Sequence, residues 1–396
     1  MTPLALVIGA IGGLLTGWWG NETVMIAAGH TATIIKNLLE LVSLPVIFLS
    51  IVSSLASMES GRDARLIGGR VLRYTVATTL IAALVGLVLF FLIDPVGGVL
   101  LSDITSAATQ AHAASYSDFL LAMFPSNLVQ TFSGQGSVMA VVFVGLLFGS
   151  AILHLHDKER VLLRDGFSAL FNMMIAITRF ILLTMPVAVW AFTALFVESM
   201  QAGHGQLAQI GWYVVTVLMA NLVQGLVVLP LFLWLKGLSP WRLLQAFRPA
   251  LTLAFVSKSS NMTLPVTLEC AQKNAGISER VARFCLPLCA TINMNGCAAF
   301  ILITLLFVAA ANGVAIGLYD IGAWLLLATA AAIGNAGVPM GCFFLTSAFL
   351  VHLHLPLELM GIILPVYALL DMAETSLNVW SDACVTAVVD RELSGH

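Results

Sequence analysis

Leu370-Asp371-Met372-Ala373-Glu374-Thr375-Ser376-Leu377-Asn378-Val379-Trp380-Ser381-Asp382 is the stretch on which the reading of this chain turns. It sits inside an apolar run near 359–389, longer than the ~20 residues that cross a bilayer. Within the run, Asp371, Glu374, Thr375, Asn378 and Asp382 stand at offsets 0, +3, +4, +7 and +11. Helical periodicity puts all five on one stripe, with Met372, Leu377, Val379 and Ala383 on the remaining circumference. A polar seam of serines and threonines can serve merely to join helices. Three carboxylates at membrane depth cannot do so without cations, and such groups mark a pathway or a binding site.

Composition supplies the membrane. The chain has 396 residues, 60% hydrophobic and 9% charged, with mean hydropathy +1.00. A soluble domain carries roughly 25% charged residues, so lipid is the expected solvent here. A net charge of −3 without any basic run gives nucleic acid no footprint. The six cysteines, Cys270, Cys285, Cys289, Cys297, Cys342 and Cys384, form no CxxC pair and read as small buried apolar side chains. The first apolar stretch lacks a basic leader and a clear cleavage site, and reads as a membrane helix rather than a signal peptide.

Spans are expected near 3–20, 32–57, 68–93, 119–155, 166–197, 208–236, 280–311 and 359–389, the fourth broken around Ser133-Gly134-Gln135-Gly136. Two further apolar stretches, 245–272 and 320–353, have polar or Gly/Pro tips and read as re-entrant hairpins. Lysine and arginine arbitrate. They cluster after spans two, four and six, before span seven and after span eight, whereas loops 95–118, 198–207 and 312–320 contain none. This positive-inside alternation places both termini in the cytoplasm and holds only if the two hairpins enter from opposite sides.

Three further segments carry chemistry. Ser257-Lys258-Ser259-Ser260-Asn261 puts a lone lysine and hydroxyls at the tip of the first hairpin, where the backbone must line a cavity; Lys258 is a candidate partner for Asp371. A second candidate is Arg179 in the fifth span, read rather as structural. Thr291-Ile292-Asn293-Met294-Asn295-Gly296-Cys297 should unwind the seventh span and free carbonyl oxygens for a hard cation. Gly334-Asn335-Ala336-Gly337-Val338-Pro339-Met340-Gly341 should end a helix at the second tip.

These residues resemble the dicarboxylate/amino-acid:cation symporter family, which includes the glutamate transporters. The likeness rests on Ser259-Ser260 with Thr263-Leu264-Pro265-Val266-Thr267, and on Leu286-Pro287-Leu288-Cys289-Ala290-Thr291-Ile292-Asn293-Met294. Ala336-Gly337-Val338-Pro339 and the Asp371 to Asp382 motif complete it. The resemblance implies an all-α integral membrane protein with eight transmembrane helices and two oppositely oriented re-entrant hairpins. It also implies a homotrimer working as an elevator, with scaffold and transport domains. Residues 1–65 and 95–207 would be mainly scaffold, 66–94 and 208–240 transport domain, and 241–396 the transport core.

By the same resemblance Asp371 holds a substrate amino group. Thr375, Asn378 and the hydroxyl and backbone of Ser260 hold its carboxylate, Ser259 counts among the substrate-binding residues, Cys297 approaches the side chain, and Val338 closes over it. One sodium site takes Asp382 with carbonyls of Cys289, Asn293 and Asn378; another takes Thr291 and Met294 with carbonyls near Ala332, Ile333 and Asn335. Bound Na+ is the co-transported ion, and no organic cofactor is implied.

Departures from the pattern refine the substrate. Glu374 stands where acidic-substrate members keep arginine. Two like charges ~4 Å apart at an effective dielectric of ~20 repel by roughly 4 kcal/mol, about a thousandfold in affinity, so a dicarboxylate should be rejected. Glu374 at this place resembles the sodium/serine-threonine branch and points to a small neutral hydroxy-amino acid; the alternatives are a basic amino acid, its cation paired with Glu374, or another amino acid or carboxylate. Cys297 replaces a threonine, and Asn295 replaces the aspartate of a third sodium site, which should be weak or absent. A membrane hydrolase using Ser259 or Ser260 is disfavoured because no histidine falls beside them. A passive channel suits two gates and three carboxylates less well than a carrier. The expected location is the inner (plasma) membrane, in contact with lipid and with no nucleic-acid partner.

Overall fold

The computed structural model describes residues 3–56, 62–97, 124–132, 138–201, 207–333, 335, 340–353, 355 and 357–394. Among them every regular element is a helix. The first half runs α1 (Pro3–Trp19), α2 (Glu22–Ala56), α3 (Arg62–Ile93), the short α4 (Leu128–Phe132), α5 (Val138–Ile152), α6 (Asp157–Leu183) and α7 (Met185–Gln201). The second half runs α8 (Leu207–Val223), α9 (Leu229–Leu235), α10 (Pro240–Ser257), α11 (Ser260–Glu269) and α12 (Glu279–Ile292). It ends with α13 (Asn295–Ala311), α14 (Leu318–Ile333), α15 (Gly341–His352) and α16 (Glu358–Leu393).

Most expected spans fall on these helices, several of which overrun them. α2 begins at Glu22 because Asn21 caps it, its Oδ1 accepting the Thr23 and Val24 N–H groups at 3.1 and 3.3 Å. The expected break at 133–136 lies outside the described residues. Among the described residues three helices are long and apolar enough to cross a membrane by length and composition: Ile67–Ile93, Ala208–Leu235 and Glu279–Ala311.

The outer surface is apolar. Trp18, Trp19, Leu92, Phe180, Trp234 and Leu235 are exposed, a distribution a water-facing surface would not carry and lipid would. Beneath it the helices pack in two sets. α1 lies on α7, and α2 lies on α5, α6 and α7. α3 lies on α8 and α13, while α10, α12 and α13 pack on α16. Contacts of α7 with α16 and of α2 with α15 join the sets. The α1–α7 contact depends on glycines spaced four apart: a Cβ on Gly9, Gly13 or Gly17 would fall 2.3–2.6 Å from backbone or Cβ atoms of α7. Small residues at this spacing let membrane helices approach backbone to backbone.

Three local features aim the helices at one place. The expected interruption of the seventh span is present: Asn293 (φ −100°, ψ 72°) and Met294 (φ −108°, ψ 67°) separate α12 from α13. Between α8 and α9 the helix widens into a π-turn at Gln224–Val228, which adds a residue to one turn and rotates Gln224 into the core. α10 and α11 double back at Lys258, which takes a left-handed conformation (φ 55°). The tip between α14 and α15 lies outside the described residues except for Asn335 and Met340.

Candidate functional site

Helix α16 forms one wall. Asp371, Glu374, Thr375, Asn378 and Asp382 are all buried, so the acidic stripe faces protein rather than lipid. Ser381 joins them. Trp380 fixes the helix from the other side, its indole N–H donating to the Gly225 carbonyl in the π-turn at 3.0 Å.

The broken helix forms the opposing wall. A Cβ on Gly296 would lie 2.8 Å from the Glu374 Cα, so the absence of a side chain there allows α13 to touch α16. The Gly296 N–H, one of the donors a helix start leaves without an intrahelical partner, meets Asn378 Oδ1 at 2.9 Å. Asn293 Nδ2 donates to Asp382 Oδ1 at 3.0 Å and to Ser381 Oγ at 2.9 Å. The Asn293 N–H returns to the Cys289 carbonyl at 2.8 Å. Asp382, Asn293, Asn378 and Cys289 are thus brought together, and no cationic side chain pairs with Asp382 among the described residues.

Asn295 lies deeper, in a neutral network. Its amide donates to Asn293 Oδ1 (3.0 Å) and Ser381 Oγ (2.8 Å), and its oxygen accepts from Gln224 Nε2 at 2.8 Å. Thr78 Oγ1 borders the cluster 3.4 Å from both asparagines. Gln224 and Ser381 carry this network and were not singled out in the sequence; a glutamine in an apolar span was the available signal.

A small cavity opens between the walls. Ser260, Cys297, Asp371, Thr375 and Asn378 line it, as expected of substrate residues, together with Met294 and Asn335 from the expected ion set. Lys258 and Cys342 complete the lining. Lys258 therefore shares the cavity with Asp371, whose Oδ2 has no hydrogen-bond partner. Glu374 lies behind this lining, with the Tyr367 hydroxyl 3.5 Å from its Oε2 and no partner on Oε1.

Other expected residues stand apart. Ser259 caps α11, its Oγ accepting the Met262 N–H at 3.3 Å, and is not among the cavity-lining residues. The Thr291 hydroxyl donates to the Leu288 carbonyl at 2.7 Å. The Ala332 carbonyl accepts the Asn335 N–H at 3.1 Å, and Ile333 ends α14. Val338 and the Arg179 side chain lie outside the described residues.

One reading needs correction. Cys297 and Cys342 do not act as independent apolar side chains; they are joined as a disulfide between positions 45 residues apart. The pairing is invisible in the linear spacing because it depends on α15 folding back onto α13. Cys270, Cys285, Cys289 and Cys384 are free and buried.

A lipid-facing helical bundle that converges polar groups from a broken helix, a doubled-back helix pair and an acidic helix around a small internal cavity is a membrane transporter, not an enzyme. The chain belongs to the sodium:dicarboxylate symporter family, whose model matches residues 3–392. It is 28% identical to excitatory amino acid transporter 3 of Homo sapiens, over 98% of this chain and 84% of that protein. It is also 28% identical to neutral amino acid transporter B(0) of Oryctolagus cuniculus, over 97% of this chain and 78% of the relative. The Homo sapiens neutral amino acid transporter B(0) is 29% identical over 88% and 71% respectively.

Proposed function

We propose that the chain is a sodium-coupled symporter of a small neutral amino acid of the serine/threonine type, driven into the cell by the sodium gradient. The observation that carries the substrate class is Glu374. It is buried at the site, 1% exposed, with no cationic side chain paired to it among the described residues. An incoming side-chain carboxylate would meet like charge there, whereas a hydroxyl would find a free acceptor. The relatives divide between transporters named for excitatory and for neutral amino acids, and the acid at 374 is what supports reading this chain as a carrier of the neutral kind.

In this reading Asp371 binds the substrate ammonium, and Thr375, Asn378 and the Ser260 hydroxyl receive its carboxylate. Cys297 faces the side chain, Ser259 shapes the tip, and Val338 closes the cavity. Asp382 with the Cys289, Asn293 and Asn378 carbonyls holds one sodium ion, and the burial of its carboxyl without a cationic side chain beside it among the described residues supports that role. Thr291, Met294, Ala332, Ile333 and Asn335 hold another. Eight spans, two re-entrant hairpins, a trimer and an elevator movement of 66–94, 208–240 and 241–396 against 1–65 and 95–207 complete the proposal. Both termini are placed in the cytoplasm, with the chain in the inner (plasma) membrane.

A basic amino acid is the second reading, supported by the unpartnered Glu374 Oε1, which a cationic side chain would satisfy. Uptake of a labelled amino-acid panel into liposomes, with and without an inward sodium gradient, tests both. Sodium-driven serine or threonine uptake, not competed by lysine, arginine or aspartate, is the expected result. Strong competition by lysine or arginine selects the second reading, and flux indifferent to the gradient rejects symport.

A further inference from the structure

Cys297 opens α13 just after the broken helix, Cys342 opens α15 just after the second tip, and Glu374 lies midway along α16. Three separate elements thus deliver two sulfurs and a carboxylate to one point, and the three ligand atoms all lie within 4.8 Å of one another. The residues are 3%, 2% and 1% exposed. Glu374 Oε1 has no hydrogen-bond partner, so the cluster contains a buried acceptor still lacking a counterpart.

We propose that, with its thiols reduced, this cluster is a binding site for a thiophilic divalent cation of the zinc class. Donor chemistry supports it: two thiolates and a carboxylate form a set that zinc and cadmium take in preference to the hard cations handled by oxygen-only sites. Reach supports it as well. Metal–sulfur bonds of ~2.3 Å and metal–oxygen bonds of ~2.1 Å in a tetrahedron set ligand atoms roughly 3.5–4 Å apart, inside the 4.8 Å within which all three lie here. The cysteine Cα atoms are 5.5 Å apart. Three protein ligands leave a fourth position for water. The environment meets the charge too: Asn335 Nδ2 donates to both sulfurs at 3.2 Å, and Asn378 Nδ2 lies 3.5 Å from the Cys297 sulfur. Amide donors around ligating sulfurs are the kind of outer contact that orients and stabilises a thiolate site.

The disulfide form cannot bind. A reductant must first convert the bond to two thiols: a phosphine supplies two electrons and becomes its oxide while water gives the two protons, or a dithiol supplies both electrons and both protons and becomes a disulfide. Each thiol then releases its proton as the cation binds, so affinity falls with acidity. Because α13, α15 and α16 each contribute one ligand, the bound ion ties the second tip's outgoing helix to the acidic helix and occupies the space beside Cys297.

The site does not rest on the nature of the transported amino acid, and its test reads binding directly. The purified full-length protein in detergent is treated with a phosphine, freed of excess reductant without air, and titrated with cadmium ion while the sulfur-to-cadmium charge-transfer absorbance is followed. The expected result is one saturable equivalent per chain, absent before reduction. Cys297→Ser and Cys342→Ser, each with a parental gel-filtration profile, lose at least tenfold in affinity, and Glu374→Gln loses about tenfold. The remaining four buried cysteines provide the control: a Cys297→Ser/Cys342→Ser chain that keeps the saturable band overturns the proposal. So does a reduced parent that shows none.

Discussion

Asn295→Asp is the sharpest perturbation available, because the structure specifies every group it would offend. In the parent the Asn295 amide donates to Asn293 Oδ1 at 3.0 Å and Ser381 Oγ at 2.8 Å, and accepts from Gln224 at 2.8 Å. A carboxylate keeps only the last of these. Ser381 can turn its hydroxyl to donate, since it presently accepts from two amides. The Asn293 oxygen cannot adapt in that way, because its own amide is committed to Asp382, and a second oxygen would face it at about the present 3.0 Å. One lost donor, one opposed oxygen pair and an unpaired buried charge together cost on the order of 3–5 kcal/mol when no cation is present. The same change, however, places a carboxylate, an amide oxygen and the Thr78 hydroxyl around one point, the ligand set of a hard cation. Sodium binding there would return about 2.7 kcal/mol at a concentration one hundred times the dissociation constant. Thermal unfolding of parent and variant in detergent, across a sodium series balanced with choline, is the assay. The variant should start well below the parent and approach it as sodium rises. A gap that stays constant would mean that no cation is drawn to the new carboxylate. An absent gap would mean that Asn295 does not make the hydrogen bonds on which the argument rests.

Four further outcomes follow from the same geometry. Asp382→Ala should abolish sodium-driven uptake in liposomes while the protein remains folded by gel filtration; unchanged uptake would remove the first proposed sodium site. Glu374→Arg should weaken hydroxy-amino-acid uptake at least tenfold and allow aspartate to compete, and preserved serine affinity would show that Glu374 does not face the substrate. Gly296→Ala forces a Cβ to within 2.8 Å of the Glu374 Cα, so α13 must retreat from α16, costing about 1–3 kcal/mol in thermal stability; a parental melting curve would contradict that packing. At the end of α16, Glu392 accepts from Lys236 Nζ at 2.7 Å and also meets Tyr74, with Arg70 3.7 Å away. Partial burial opposes the Glu392 charge, but the hydrogen bonds from Lys236 and Tyr74 and the two cations outweigh it and hold the carboxyl below its ordinary value. Hydrogen bonds to Glu392 and Tyr74 hold Lys236 above its ordinary value. A depressed acid stabilises above its unfolded pKa and loses that contribution as pH falls through the folded one; a raised base loses its contribution only at high pH. Glu392→Gln should therefore cost about 1–2 kcal/mol at neutral pH, and the difference from the parent should vanish below the carboxylate range. A gap that persists there would assign the effect to packing.

What the sequence could disclose depended on whether the signal was periodic or long-range. The five-residue stripe on α16 was legible because helical geometry turns a spacing into a face, and burial of all five agrees with it. The break at Asn293-Met294 was legible because two asparagines beside a glycine weaken a helix locally. The Gly9, Gly13, Gly17 ladder carries a local signal of the same kind, and it decides the α1–α7 contact. By contrast, the neighbours of Asn295 come from three other parts of the chain: Thr78, Gln224 and Ser381. The π-turn that aims Gln224 inward has no periodic signature, because it departs from the repeat itself. The cysteine pair is hidden for the same reason. Its partners are separated by an entire helix, α14, and by the tip that follows it, and only the return of α15 onto α13 makes them neighbours. Binding in such a fold is therefore specified twice: once locally, by residues that weaken or polarise a helix, and again by the tertiary contacts that bring those defects together. The first layer puts an acidic stripe and a broken helix in the chain. The second decides which of the candidate oxygens are already satisfied, as at Asn295, and which remain open, as at Glu374 and Asp371.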